Sequence, residues 1–201
     1  LAVTFAGLLF GMGPAAAGNA GGQTTFRVQG TQVVVDPTTG QSRMLADPDS
    51  GRPGLAGDWY YTRWDEQYSS PTLYIATGSE RFSGCIEVNH TAGCQPDEPA
   101  GELTFDFAYW ARFDPNGAFL GGRCVHPITG GTASFAGARG LLSMTDTPTA
   151  TGIVTTYTGT VVTIAKLPAS TSGQRTSADS DATGASVAAS AAAIDRPSIG
   201  C

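Results

Sequence analysis

The sequence predicts an all-β fold, a closed antiparallel β-barrel of about eight strands. Three observations predict it. Short apolar and β-branched runs alternate with turn-forming residues through the middle of the chain, residues 102–114 alternate with a period of two, and no stretch has the apolar spacing of an amphipathic helix. A β-sandwich also fits these observations, but a strand as long as residues 102–114 favours the tilted strands of a closed barrel.

The first part of the middle region supplies strands separated by one long loop. Residues 24–35 are rich in Thr and Val and end at a turn containing Pro and Gly, which is typical of a strand. Residues 72–87 contain two short strand-like runs. Residues 36–57 have little hydrophobic patterning and many turn formers, so we predict a long loop there.

Residues 57–66 form an aromatic-rich strand. Side chains on a strand alternate between its two faces, so this segment places Trp59, Tyr61 and Arg63 together on one face. In a closed barrel one face of every strand lines the interior. Aromatic side chains of this strand therefore either fill the core or line a cavity.

The second part of the middle region begins with a hairpin over residues 102–127. Its first strand alternates cleanly and ends at the turn Asp114-Pro115-Asn116-Gly117, where Pro and Gly occupy the positions that turns prefer. Residues 141–145 and 153–164 are the last two predicted strands. The segment that joins them is a turn rich in Thr, Pro and Gly.

Three segments differ in composition. Residues 1–17 form an uncharged apolar run that ends in Pro and three Ala, which is typical of the end of a secretory signal peptide; a buried N-terminal strand or helix is the alternative. Residues 18–167 form the predicted barrel domain. Residues 168–201 are rich in Ala, Ser and Thr and have no aromatic side chain, so we predict a disordered tail, with a cell-wall spacer as the functional alternative.

The charge balance argues against several classes of partner. The formal net charge is −6, and Lys166 is the one lysine of the chain. An acidic, lysine-poor protein is poorly suited to nucleic acid or anionic membrane surfaces. The N-terminal apolar run is shorter than the about 20 residues that span a bilayer, so we predict no membrane insertion. The predicted location is secreted or in the cell envelope.

Four cysteines permit disulfides in an exported protein: Cys85, Cys94, Cys124 and Cys201. Four cysteines allow three full pairings, and we favour Cys85–Cys94 because these residues bracket a polar segment between two strand-like runs. Cys124 lies in a strand-like run and is either a buried free thiol or a partner of Cys201.

One motif resembles a known family. Ile128-Thr129-Gly130-Gly131-Thr132 and Phe135-Ala136-Gly137-Ala138-Arg139-Gly140, followed by a strand, are similar to a signature of the allene oxide cyclase and dirigent-like barrel superfamily. The similarity spans roughly residues 57–162 and departs from the signature at Ala133, where the family usually has Gly. It implies an eight-stranded barrel with a central cavity, in which known members run cyclisations or steer radical coupling. No catalytic set matches residue by residue.

The motif also has a physical interpretation that needs no family. Gly130 and Gly131 can supply positive φ in a connection, and Phe135 is spaced to enter the core. Gly137 and Gly140 allow the backbone to turn sharply into the next strand. The motif therefore predicts a corner of the barrel.

Aromatic side chains with a few polar anchors are typical of ligand cavities. His126 follows Arg123 at a strand end and could act as a general acid or base, or bind an anion. A structural role in the core is the alternative for each candidate. The candidate cavity and rim residues are Trp59, Tyr61, Arg63, Tyr109, Trp110, Arg123 and His126.

The sequence predicts neither a metal nor a cofactor. There is no Cys-x-x-Cys or His-x-x-x-His pair for zinc, and the acidic loop around Cys94 lacks the spacing of a calcium loop. The G-x-S-x-G elbow of serine hydrolases is also absent. Adjacent carboxylates such as Asp97 and Glu98 point to opposite faces when they lie on a strand, which disfavours a catalytic pair.

Three functions remain. The first is a cofactor-free cyclase, isomerase or lyase that holds a reactive small molecule in one conformation. The second is a non-catalytic protein that binds a small apolar or polyol-like ligand, and the third is a structural protein of the cell envelope. An interior with Arg, His or carboxylate side chains favours the enzyme, an apolar cavity favours the binder, and a filled barrel favours the structural protein. The oligomeric state is left open.

Overall fold

The computed structural model describes residues 22–91 and 93–164, which form a closed antiparallel barrel. Each strand pairs with the next, and the last strand pairs with the first along ten residue pairs from Gln23–Ile164 to Gln32–Thr155. The barrel prediction is confirmed. The strands are β1 Gln23–Asp36, β2 Gln41–Ala46, β3 Gly54–Ser69, β4 Leu73–Glu87, β5 Ala100–Phe113, β6 Phe119–Gly131, β7 Arg139–Thr149 and β8 Gly152–Ile164.

The chain outside these ranges is not part of this description. The predicted signal peptide (1–17) and the predicted tail (168–201) both lie outside the described residues, and so does Cys201. Cys124 is buried on β6.

Side chains on β5 alternate strictly between the barrel interior and the outer surface, and the inward ones form part of the hydrophobic core. Leu103, Phe105, Phe107, Tyr109 and Ala111 are buried inside the barrel, while the residues between them face outwards. Burial of each large apolar side chain contributes about 1.5–3 kcal/mol. The period of two in the sequence therefore fixes which face of this strand stabilises the barrel.

The region predicted as a long loop contains a strand, so that prediction is wrong. β2 pairs with β1 on one side and with β3 on the other. Its inward side chains are Ser42 and Met44, two positions that are too few to show a period in the sequence. Without β2 the barrel would have an open edge between β1 and β3. A short 3₁₀ turn, Pro48–Ser50, follows β2 and is capped by the Asp47 carboxylate.

Two further strands differ from the sequence prediction. The two short runs predicted within residues 72–87 are one continuous strand, β4. On β3 the pairing register shifts between Tyr61 and Arg63, and this bulge reverses the alternation. Trp64 consequently packs against Tyr61 and Phe107, while Arg63 lies on the outer surface. The expectation that Trp59, Tyr61 and Arg63 share a face is therefore wrong for Arg63.

The glycine-rich motif forms the corner between β6 and β7, as predicted. The glycines of the motif with positive φ angles are Gly137 and Gly140, while Gly130 and Gly131 continue β6, so the expectation for those two glycines is wrong. β6 ends at Gly131, a 3₁₀ turn covers Ala133–Phe135, and Phe135 is fully buried in the core. Ala133 has a φ of 49°, a left-handed conformation that glycine adopts more readily than alanine. The position at which the sequence departs from the family signature therefore keeps the backbone conformation that favours glycine.

Replacing Gly140 with alanine is expected to lower the free energy of unfolding by about 2 kcal/mol or more. Gly140 has a φ of 147°, and a Cβ there would collide with the backbone carbonyl oxygen of Thr160. Gly130→Ala is the matched control, because its Cβ would meet only the Thr104 hydroxyl oxygen, at 3.1 Å. Urea unfolding of both variants measures the difference, and equal stabilities would contradict the role of Gly140.

The predicted Cys85–Cys94 disulfide is confirmed, with Cα atoms 5.6 Å apart. It closes the connection between β4 and β5. The buried Glu98 carboxylate organises the same connection by accepting hydrogen bonds from the backbone N–H groups of Val88, Asn89 and Gln95 at 2.7, 3.2 and 2.9 Å. Burial alone would raise the pKa of Glu98, but these three donors outweigh burial and hold the pKa below its usual value.

Replacing Glu98 with glutamine is expected to destabilise the protein by about 1–3 kcal/mol at pH 7, because an amide cannot accept these bonds as a charged carboxylate does. A carboxylate with a lowered folded pKa stabilises the fold above its unfolded pKa, and this contribution disappears as the pH falls through the folded pKa. The difference from wild type should therefore shrink in acid. Urea unfolding at pH 7 and pH 3 tests this, with the exposed Asp97→Asn as control; a difference independent of pH would contradict it.

Candidate functional site in the barrel interior

Polar side chains enter the barrel interior from every strand. These buried side chains occupy inward positions of the alternating pattern, so the strand register and not a loop holds them in place. We call them the interior polar set. In strand order from β1 to β8, the set is Gln32, Ser42, Trp59, Glu80, Tyr109, His126, Asp146 and Thr155.

Glu80 and His126 form an ion pair that is fully buried. Oε2 of Glu80 lies 3.0 Å from Nε2 of His126, and neither side chain is exposed to solvent. The two residues come from β4 and β6 and meet across the intervening strand β5. The edge of the Trp59 ring packs against the imidazole, with ring centroids 5.5 Å apart. Burial of a carboxyl group and an imidazole opposes folding unless their mutual hydrogen bond offsets the loss of hydration.

Asp146 is the second buried acid of the interior. Its side chain accepts a hydrogen bond from the Thr155 hydroxyl at 2.6 Å, and the residue is 2% exposed. Burial raises the pKa of Asp146 to about 6, against the opposing effects of Thr155, the Tyr109 hydroxyl and the charge of His126. Burial also raises the pKa of Tyr109 above its usual range. Asp146 can therefore gain or lose a proton near neutral pH.

Gly122 brings Tyr109 and Asp146 together. A Cβ at Gly122 would lie 2.7 Å from the Tyr109 hydroxyl oxygen and 3.0 Å from Oδ2 of Asp146. Gly122 also pairs directly with Asp146 between β6 and β7. Because Gly122 has no side chain, the Tyr109 hydroxyl and the Asp146 carboxylate can both occupy the space beside it.

Several buried polar atoms of the set find no hydrogen-bond partner within residues 22–91 and 93–164. They include both polar atoms of the Gln32 amide, Nε1 of Trp59 and Oε1 of Glu80. The Tyr109 hydroxyl and the Asp146 carboxylate instead interact with each other. Native interiors satisfy nearly all such groups, and each exception needs an explanation. These atoms can bind a small polar molecule or water.

The structure brings three of the candidate residues together and separates the others. Trp59, Tyr109 and His126 are fully buried in the interior, and Tyr61 is half-buried beside them. Arg63 pairs with Asp65 on the outer surface. Trp110 and Arg123 are neighbours in the β5–β6 pairing, also on the outer surface.

Sequence reasoning missed Glu80 and Asp146. The signal that could have found them is alternation, since Glu80 shares the inward face of β4 with Ala76 and Phe82. Asp146 likewise follows Leu142 and Met144 on the inward face of β7. A carboxylate at an inward position of an apolar strand face is a candidate functional group.

The set offers acid–base chemistry. A proton can pass between Glu80 and His126, and Asp146 can act as a base while Tyr109 donates a hydrogen bond. In the part of the chain that the structure describes, no cluster of three or more His, Cys, Asp or Glu side chains could hold a metal ion. The same part contains no helix with the length and apolar character that a membrane crossing needs.

The disulfide is compatible with an oxidising compartment. Comparisons with protein-family models, with curated proteins and with solved structures find no match to this chain.

Proposed function

We propose that this protein is an exported barrel that binds a small hydroxylated molecule in its interior and transfers protons to or from it without a cofactor. The observation that carries the proposal is the interior polar set, in which buried polar atoms of Gln32, Trp59 and Glu80 have no hydrogen-bond partner among the described residues. A polyol or hydroxy-ketone offers both donors and acceptors to such atoms. Enclosure would hold it in one conformation.

Asp146 is the proposed base. A carboxyl group whose pKa is about 6 is ionised at pH 7 and still basic enough to accept a proton efficiently. The Tyr109 hydroxyl, held beside Asp146, would donate a hydrogen bond to an oxygen that gains negative charge. Glu80 and His126 would exchange a proton with the opposite end of the molecule. Isomerisation, cyclisation and elimination all use such proton transfers.

The sequence resemblance supports the same class of reaction. The corner motif is similar to that of allene oxide cyclase and dirigent-like barrels, and the left-handed φ of Ala133 fits a position where that signature has glycine. The composition of residues 1–17 and the disulfide support export. Non-catalytic binding of a small ligand and a structural role in the cell envelope are the competing functions, and the dense aromatic packing around His126 favours the latter.

Deuterium exchange tests the proposal. Dihydroxyacetone, erythrulose and inositol are screened for binding by thermal shift, and the two ketones are then incubated with protein in D₂O and followed by NMR. Wild type should bind at least one compound and exchange its α-hydrogen at a rate that rises as the pH passes about 6, the pKa of Asp146. Asp146→Asn should bind but exchange about 10²-fold more slowly, while the exposed Asp97→Asn should match wild type.

The other outcomes distinguish the competing functions. Binding without exchange would contradict catalysis on these ketones and favour a binding protein. No thermal shift with any compound would contradict the proposed ligand class and favour the structural function.

A further inference from the structure

A second pocket lies on the outer wall of the barrel, where β5, β6 and β7 run side by side. Its volume is about 460 Å³. Trp110, Arg112, Leu120 and Arg123 contribute its exposed side chains, and Gly121 and Gly122 contribute backbone alone. The pocket is separate from the interior polar set except at Asp146, which belongs to both.

Two guanidinium groups in this pocket have no carboxylate partner. Arg43 and Arg81 each pair with a carboxylate elsewhere on the barrel surface. By contrast, no ion pair among the described residues involves Arg112 or Arg123. The nearby Asp114 carboxylate accepts the backbone N–H groups of Asn116 and Ala118 in the hairpin turn. The pocket therefore carries two arginine cations and one carboxyl group, that of Asp146, on a protein whose net charge is −6.

Apolar surface adjoins these two cations. Trp110 is 37% exposed and Leu120 is 53% exposed, and Pro148 completes the wall. Trp110 lies directly opposite Arg123 in the β5–β6 pairing, so the indole and the guanidinium share one side of the pocket. Guanidinium and indole groups both stack on planar ligands, and a pair of arginines matches the geometry of a carboxylate or phosphate.

We propose that the outer-wall pocket binds a small amphiphilic anion, with its aromatic or aliphatic body on Trp110 and Leu120 and its carboxylate, sulfonate or phosphate between Arg112 and Arg123. This site does not depend on the proposed chemistry of the interior. Its ligand approaches from solvent, since all four contact residues are exposed.

Two fluorescent probes that differ in charge test the proposal. 1-Anilinonaphthalene-8-sulfonate carries the anionic group, and N-phenyl-1-naphthylamine has the same aromatic body without it. Arg112→Gln/Arg123→Gln should weaken binding of the sulfonate at least tenfold and change binding of the neutral probe less than twofold. Trp110→Ala should weaken both probes. Arg27→Gln/Arg139→Gln is the matched control, because it removes the same charge from exposed arginines on other strands.

Each remaining outcome overturns the proposal. Unchanged sulfonate affinity in Arg112→Gln/Arg123→Gln would place the probe elsewhere. An equal loss of sulfonate affinity in Arg27→Gln/Arg139→Gln would show an effect of net charge alone. If Arg112→Gln/Arg123→Gln weakened binding of the neutral probe as much as binding of the sulfonate, the arginines would act by packing and not by charge. Far-ultraviolet circular dichroism and the Tm of each variant show that it is folded.

Discussion

Replacing either Glu80 or His126 with leucine is expected to lower the free energy of unfolding by about 3–5 kcal/mol. Each single change leaves the other polar side chain buried in an apolar environment without the partner that lies 3.0 Å away. Neither side chain can reach water, because both are fully buried. Chemical denaturation at pH 7 measures the loss. His90→Asn is the control, since His90 is exposed on a loop at a φ of 53° that asparagine also tolerates, and the change should affect stability little.

The double replacement distinguishes a mutual interaction from two independent packing effects. Glu80→Leu/His126→Leu removes both polar groups and fills the same region with apolar atoms, so it should be far less destabilised than the sum of the single changes. Additive losses would contradict direct coupling of Glu80 and His126. A double variant close to wild type would show that the pair is not needed for folding, which fits a functional role.

Replacing Asp146 with asparagine is expected to raise stability at pH 8 by up to about 3 kcal/mol. The folded protein raises the pKa of Asp146 from 3.8 to about 6, so the ionised group opposes folding. This unfavourable contribution is complete above the folded pKa of about 6 and fades as the pH falls through that value. It disappears only below the unfolded pKa of 3.8, where the carboxyl is protonated in both states. Asparagine keeps the shape, still accepts the Thr155 hydrogen bond and carries no charge.

Urea unfolding at several pH values checks this expectation. The stability gain of Asp146→Asn should be largest at pH 8 and vanish at about pH 3, below the unfolded pKa of 3.8. Asp97→Asn on the exposed loop should show no such trend. A variant less stable than wild type at pH 8 would contradict the effect of burial on this carboxyl. Active sites commonly cost stability, so a stability gain in Asp146→Asn would support the proposed function.

The strands of the barrel were predictable where apolar and polar residues alternate regularly in the sequence. β5 shows it over its whole length, and the corner motif at residues 128–140 shows how glycines with positive φ turn the chain into β7. The Cys85–Cys94 bridge followed from the polar segment between two strands. β2 escaped prediction because a short strand with two inward side chains has no measurable period, and its formation depends on pairing with β1 and β3.

The candidate site was only partly predictable, because part of it depends on strand pairing and not on local sequence patterns. Trp59, Tyr109 and His126 were candidates by residue type and strand position, and all three are buried in the interior. Arg63 was misplaced because a bulge in β3 reverses the alternation, and a bulge leaves no clear mark in a single sequence. The meeting of Glu80 with His126 depends on barrel closure and strand register, which local patterns do not encode.

A high-resolution crystal structure of the protein tests the polar interior most directly. We expect ordered density, from water or a bound small molecule, within hydrogen-bond distance of Trp59 Nε1, Oε1 of Glu80 and the Gln32 amide, which lack hydrogen-bond partners among the described residues. Soaking with a compound identified by thermal shift should replace that density with the ligand. A dry interior in which these atoms bond to one another would contradict a ligand-binding barrel and leave a structural core.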